Sequence, residues 1–212
     1  MNRLAEDIKH LHALGFSDVV ATFAHGVSWD DPSLEEDLTG ALEELCEFYL
    51  ANPDMKECSL FGMHLPNILR EKKGVKKWCG TGTHMVAYDV NGKSYPCHTF
   101  QRIALGDEAS DWENMEGPVD FARIADFRDE DCSACVIEGV CPNCYGMNYV
   151  TRRDILKRDK QMCALIKAQT MANSYLWGER LRRGLSKLDP PDTYQMIKAV
   201  QLVQNTLLQQ AK

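Results

Sequence analysis

Cys132-Ser-Ala-Cys135-Val-Ile-Glu-Gly-Val-Cys141-Pro-Asn-Cys144 places four cysteines within thirteen residues. Five more stand at positions 46, 58, 79, 97 and 163, making nine in a chain of 212 residues. Clustered thiols form disulfides in an oxidising compartment and ligate metal in a reducing one. The opening Met1-Asn-Arg-Leu-Ala-Glu-Asp-Ile-Lys mixes charges into what a secretion signal would need as an apolar stretch. No apolar run approaches the ~20 residues of a membrane span. A cytoplasmic chain whose cysteines hold metal is therefore expected. The hydrophobic fraction of 44% and charged fraction of 26% are those of an ordinary globular protein, which excludes disorder, collagen and coiled coil. A net charge of -7 argues against a nucleic-acid platform, and neither nucleic acid nor membrane is expected as a partner.

Upstream of the run, Met85–Val90, Asn91-Gly92 and Lys93–Cys97 read as a hairpin, because Asn-Gly suits a two-residue type I′ turn. That register pairs Val90 with Lys93 and Val86 with Cys97. Twelve residues separate Cys79 from Gly92, and the flexible Gly80-Thr-Gly82 lets its thiol fold back towards Cys97. Downstream, Thr151–Arg183 reads as mostly helical, with Gly184 as the stop. Asp189-Pro190-Pro191 breaks the chain. Asp192 with Gln195 then caps a last amphipathic helix bearing Met196, Val200, Val203 and Leu207. The acidic stretch Gly106–Pro118 reads as a solvated loop.

The N-terminal third has another character. Residues 2–14 read as a helix with Leu4, Ile8, Leu11 and Leu14 on one face. Asp18–Ala24 is a short β-rich run. Ser33 and Glu36 make a capping box that opens a helix ending at Asn52-Pro53, and Glu57–Leu65 reads as a second strand. Helix, strand, helix, strand is α/β alternation with parallel strands. Two such strands cannot cover both faces of a sheet, so residues 1–78 read as the end of something larger. Their apolar edges, bearing Val19, Val20, Phe23, Leu60, Phe61 and Leu65, are expected to self-associate or to bind a separate partner.

Two metals suit thiolate clusters. A zinc reading takes Cys132, Cys135, Cys141 and Cys144 as one four-thiolate site, and the chain as a non-enzymatic structural or interaction module. Zinc ribbons usually separate their knuckles by ~15 or more residues, whereas the gap here is five. That reading also leaves Cys79, Cys97 and Cys163 without a purpose. Bacterial ferredoxins offer another precedent, in which the last cysteine of a close run serves a different cluster from its neighbours.

Cys-x12-Gly-x4-Cys, then Cys-x2-Cys-x5-Cys-x2-Cys, then a distant cysteine resembles the SPASM domain, the C-terminal part of many radical SAM enzymes that modify peptides and proteins. Cys79-Gly-Thr-Gly82, Asn91-Gly-Lys-Ser-Tyr-Pro-Cys-His98 and the helix bearing Cys163 carry the likeness. The segment before it resembles the closing helix–strand units of the radical SAM partial barrel. The expected fold is thus α+β: the end of a partial (β/α) barrel (1–78), a small hairpin-containing, helix-rich iron–sulfur domain (79–184), and a C-terminal amphipathic helix (185–212).

The resemblance implies two auxiliary [4Fe–4S] clusters, one on Cys79, Cys97 and Cys144, the other on Cys132, Cys135, Cys141 and Cys163. It further implies a peptide or protein substrate, reached by electron transfer or anchoring. Two departures stand out. The family usually has three residues between the last two cysteines of the dense run, where this chain has Pro142-Asn143, and residues 70–77 lack a fourth ligand for the first cluster, whose iron would be open or take an unidentified ligand. The Cys-x3-Cys-x2-Cys loop that holds the cluster cleaving S-adenosylmethionine is absent from this sequence. The chain therefore reads as a C-terminal portion or stand-alone relic, seeing S-adenosylmethionine only through a missing or separate barrel half. Cys46 reads as a core residue. Cys58, at the start of an expected strand, is the remaining candidate for an eighth thiolate. His98 follows Cys97, where the sulfatase-maturing enzymes carry a catalytic aspartate. Arg70, Lys72, Lys73, Lys76 and Lys77 form a basic run read as a solvated face.

Overall fold

The computed structural model describes residues 3–29, 31, 33–70, 79–107, 111, 112, 119–122 and 132–210. These form helices α1 (Leu4–Ala13), α2 (Ser33–Ala51), α3 (Arg102–Leu105), α4 (Tyr145–Arg152), α5 (Cys163–Arg182) and α6 (Pro190–Gln210), with strands β1 (Ala87–Tyr88) and β2 (Ser94–Tyr95). The fold is α+β and rich in helix; the sheet found among the described residues has two antiparallel strands. No helix among them is long and apolar enough to cross a membrane. The chain divides into two compact units, residues 1–70, 136–141 and 161–212 in the first and 71–135 and 142–160 in the second.

In the first unit, Leu38, Leu42, Leu45 and Tyr49 recur at helical spacing along α2, and each is fully buried. Ile8 of α1 and Leu165 and Leu176 of α5 share their core. Each such side chain contributes roughly 1.5–3 kcal/mol on burial. The α6 stripe of Met196, Val200, Val203 and Leu207 is buried as its spacing indicates. Met196 and Val200 pack with Leu65, Trp177 and Leu181.

Both expected helix starts move upstream to an aspartate. Asp31 Oδ1 accepts the Ser33 N–H and hydroxyl, each at 2.9 Å, so the Ser33 hydroxyl is a donor rather than a cap. Those bonds hold the Asp31 carboxyl below its ordinary value, the Ser33 backbone first. Asp189, not Asp192, caps α6, its Oδ1 accepting the Asp192 N–H at 3.0 Å. The helix thus begins on Pro190-Pro191, which lack the N–H groups that a first turn leaves unpaired anyway. At the far end of α5, the Leu185 N–H reaches Arg180 O (2.8 Å) and the Gly184 N–H reaches Leu181 O (3.2 Å), with Gly184 at φ +68°. That pair of bonds is a Schellman stop, which Gly184 adopts without strain.

Asp18–Ala24 and Glu57–Leu65, expected as parallel strands, form no ladder. One side chain joins them instead. The Ser59 N–H donates to Val19 O (3.0 Å), while Ser59 Oγ donates to Ala21 O (2.7 Å) and accepts the Ala21 N–H (2.8 Å). The chain then curls into 3-10 turns at Ser59–Phe61 and Leu65–Leu69. Here α5 supplies what a neighbouring strand would. Gln169 Nε2 (2.8 Å) and Asn173 Nδ2 (2.9 Å) both donate to Leu60 O, and Asn173 Oδ1 accepts the Met63 N–H (3.3 Å). The apolar edges are correspondingly covered: Val19, Leu60, Phe61 and Leu65 are buried, Phe23 is half-buried, and Val20 stays exposed.

The hairpin of the second unit is slipped by one residue from expectation. Ala87 pairs with Tyr95 and Tyr88 with Ser94, which sets Val86 opposite Pro96 rather than Cys97. Asp89 is the cause. Its Oδ1 accepts the N–H groups of Asn91 (2.8 Å) and Lys93 (2.9 Å), and the Gly92 N–H donates to Asp89 O (3.0 Å). Gly92 takes φ +79°, giving a three-residue loop in place of the two-residue turn. The Lys93 N–H, above all, holds the Asp89 carboxyl below its usual value.

Asn173→Ala is expected to strand the buried Met63 N–H and remove one donor from Leu60 O, destabilising the protein by roughly 2–4 kcal/mol. Chemical denaturation measures it. A loss within error of zero would mean that the amide is not what holds residues 60–63 in place.

Candidate metal centre

Three of the seven expected ligands lie on three segments of the second unit that are tied to one another. Cys79 opens a tight loop in which Gly80 O accepts the N–H groups of Thr83 (3.0 Å), His84 (2.9 Å) and Met85 (2.9 Å). The Gly82 N–H donates to Pro96 O (2.9 Å), the residue just before Cys97. Gly82 sits at φ +67°, and a Cβ there would lie 2.5 Å from the Phe121 ring, so no other residue fits. Cys97 is buried beside Phe100, Phe121 and Tyr145, and Cys79 packs against that same cluster. The fold-back of Cys79 thus comes from backbone pairing, not from loop flexibility.

Cys144 immediately precedes α4. A Cβ on Gly146 would meet Thr99 Cγ2 at 2.5 Å, so the missing side chain lets the start of α4 close onto the 3-10 turn His98–Phe100 that follows Cys97. Burial pushes the Cys144 thiol above its usual value. The Met147 N–H and the Thr99 hydroxyl oppose that shift, and negative charge on Cys97 adds to it.

Asn148 holds this arrangement from below. It is almost wholly buried, and its Nδ2 donates to Asn143 Oδ1 (2.9 Å) and Ile155 O (3.0 Å) while its Oδ1 accepts the Asp159 N–H (2.8 Å). Arg153, at φ 51°, turns the chain out of α4 so that residues 154–159 wrap around that amide. The expected helix over Thr151–Arg183 is consequently broken between Arg152 and Cys163.

The other four ligands fall differently. The Cys135 N–H donates to Cys132 O (2.9 Å), a turn that brings these two residues of the second unit together. Cys141 and Cys163 belong to the first unit, the latter exposed as the first residue of α5. Gly139 anchors the segment bearing Cys141, since a Cβ there would lie 2.6 Å from Asn67 O. Among the described residues, no three His, Cys, Asp or Glu side chains gather closely enough to hold a single ion. A four-iron cluster spaces its thiolates by the width of its own iron–sulfide cage.

Cys46 is fully buried, its Sγ against Ala172 O at 3.5 Å, and burial pushes its thiol up to about 12. Cys58 is an extended residue before a 3-10 turn rather than the start of a strand. Its N–H donates to Tyr49 Oη (2.9 Å), whose hydroxyl meets His12 Nε2 (3.1 Å). Phe16 O can only accept, so the facing His12 Nδ1 (3.1 Å) carries the proton there. Burial raises the Cys58 thiol. Both cysteines are structural in this setting. His98 is exposed. Lys72, Lys73, Lys76 and Lys77 lie outside the described residues, as does most of the acidic loop.

Thr81, Thr99, Gly146 and Asn148 escape the sequence reading; Thr81 and Thr99 each follow a cysteine by two residues, the one signal that could have marked them. Comparison with family models, with curated proteins and with solved structures finds no match to this chain.

Replacing Asn148 by Ala is expected to cost roughly 2–4 kcal/mol, because three buried partners lose their bonds at once. In the folded variant, Cys144 should react faster with an alkylating reagent than in the parent, while Cys46 should not change. Mass spectrometry of the labelled peptides reads both. Unchanged labelling of Cys144 would show that Asn148 does not position it.

Proposed function

We propose that the chain is an auxiliary [4Fe–4S] cluster-binding module of a radical SAM enzyme that modifies a peptide or protein. One observation carries the reading: the start of α4, just after Cys144, closes onto the turn that follows Cys97, where a Cβ on Gly146 would meet Thr99 Cγ2 at 2.5 Å. The SPASM resemblance groups those two thiols with Cys79, whereas the zinc reading groups Cys144 with Cys132, Cys135 and Cys141. The donor set suits the softer, larger group, since thiols stand in a mostly apolar surround with N–H and O–H donors facing one of them. Cys79, Cys97 and Cys144 would hold the first cluster, and Cys132, Cys135, Cys141 and Cys163 the second. Bound there, the clusters would relay an electron from a substrate radical or anchor the peptide. Residues 1–70 are read as a reduced counterpart of the closing barrel units, their missing sheet replaced by α5. Cleavage of S-adenosylmethionine would fall to a separate barrel half.

Anaerobic reconstitution is expected to give a brown protein with about eight iron atoms, four per cluster. Cys97→Ala should remove only the first cluster and Cys135→Ala only the second. Stoichiometric zinc without labile sulfide would establish the non-enzymatic zinc module instead.

With S-adenosylmethionine and a strong reductant, the reconstituted chain should form no 5′-deoxyadenosine, for want of the three-cysteine loop. Turnover above background would show that the dense cysteine run takes over that role.

A further inference from the structure

Two threonine hydroxyls stand at the thiols of the first ligand set. Thr81 Oγ1 lies 3.0 Å from Cys79 Sγ, and Thr81 is buried. The Thr99 side chain abuts Gly146, two residues past Cys144, its Cγ2 2.5 Å from where a Cβ there would stand, and its hydroxyl opposes the burial that raises the Cys144 thiol. Cys79-Gly-Thr81 and Cys97-His-Thr99 share one pattern, Cys-x-Thr, yet the hydroxyls serve different partners. Thr81 turns back to its own cysteine, whereas Thr99 crosses to the cysteine of another segment. A neutral thiol can donate or accept, but a thiolate only accepts. Once these cysteines ligate metal, each hydroxyl must therefore be the donor.

We infer that Thr81 and Thr99 are positioning residues that donate hydrogen bonds to the Cys79 and Cys144 thiolates and thereby raise the reduction potential of the cluster held with Cys97. The inference rests on the iron–sulfur reading above. A reduced cluster carries one more negative charge than its oxidised form, and that charge is shared with the ligand sulfurs. A donor facing such a sulfur stabilises the reduced form more than the oxidised form. The carboxylate alternative is absent from this pattern: an acidic residue at either position would repel the added electron. Threonine supplies the donor without a charge, and its methyl group fills the space against Gly146.

The test uses the full chain carrying Cys135→Ala, so that the cluster of Cys79, Cys97 and Cys144 reports alone. Thr99→Val and Thr81→Val keep the side-chain shape and remove the donor. Each is reconstituted anaerobically, its iron and sulfide are counted, and its potential is followed by spectroscopic redox titration. Each valine variant should bind iron as its parent does and shift about tenfold against reduction, about 59 mV lower for one electron. Thr99→Ser, which keeps the hydroxyl, should return to the parent potential. Unchanged potentials at full iron content would overturn the inference and leave the cluster reading standing. Loss of iron from both valine variants would also overturn it, because the hydroxyls would then be needed for ligation itself. Failure of the parent to take up iron and sulfide would overturn the cluster reading instead.

Discussion

The carbonyl oxygen of Leu60 accepts hydrogen bonds from two side-chain amides of α5, and the first unit is arranged around that constraint. Residues 57–65 follow α2 as a stretch that curls into 3-10 turns rather than pairing as a strand, yet Leu60 within it is buried. A buried peptide group without a partner costs as much as a lost hydrogen bond. Gln169 and Asn173 are therefore kept inside a helix that also buries Leu165, Ile166 and Leu176. The same requirement explains why α5 lacks an apolar stripe: it is covered on several sides, with α2 on one and α6 on another.

The second unit meets the same problem with the same chemistry. Its hairpin offers two residues per strand, far short of an independent sheet. Asn148 therefore gathers the backbone of residues 155 and 159 around one buried amide, and the small residue Gly146 brings α4 against the turn after Cys97. The thiols are held by those ties. The start of α4, just after Cys144, meets the turn after Cys97 because Gly146 has no side chain, and Asn148 closes the loop behind it. The proposed cluster would add folding energy through ligation to a core of small size.

Periodicity served the reading well where a helix buries one clean face. The α6 stripe was legible residue by residue, and so was the glycine stop after α5. Helix starts were less so, because aspartates at 31 and 189 outcompete the capping residues that the sequence offers slightly later. The hairpin was legible but its register was not: Asp89 binds two backbone N–H groups at once and lengthens the turn by a residue. Glu57–Leu65 and Asp18–Ala24 misled for a different reason. Short apolar runs look alike whether they bury against a strand or against a helix. The Thr81 and Thr99 hydroxyls were hidden because a Cys-x-Thr pattern has no meaning until the thiols have neighbours.

What the sequence determined by itself is the list of chemical parts: nine cysteines and their spacing, the helical faces, and the glycines that end or bend the chain. Those follow from local rules, in which one residue's type constrains only a few neighbours. Tertiary structure alone decided how α4 meets the turn after Cys97, because that approach depends on Gly146 and Asn148 rather than on spacing. It also decided that α5 stands where a sheet was expected. The physical reason is the same in both cases: buried backbone polar groups and buried thiols take whatever partners packing brings them, and a sequence names the groups without naming the partners.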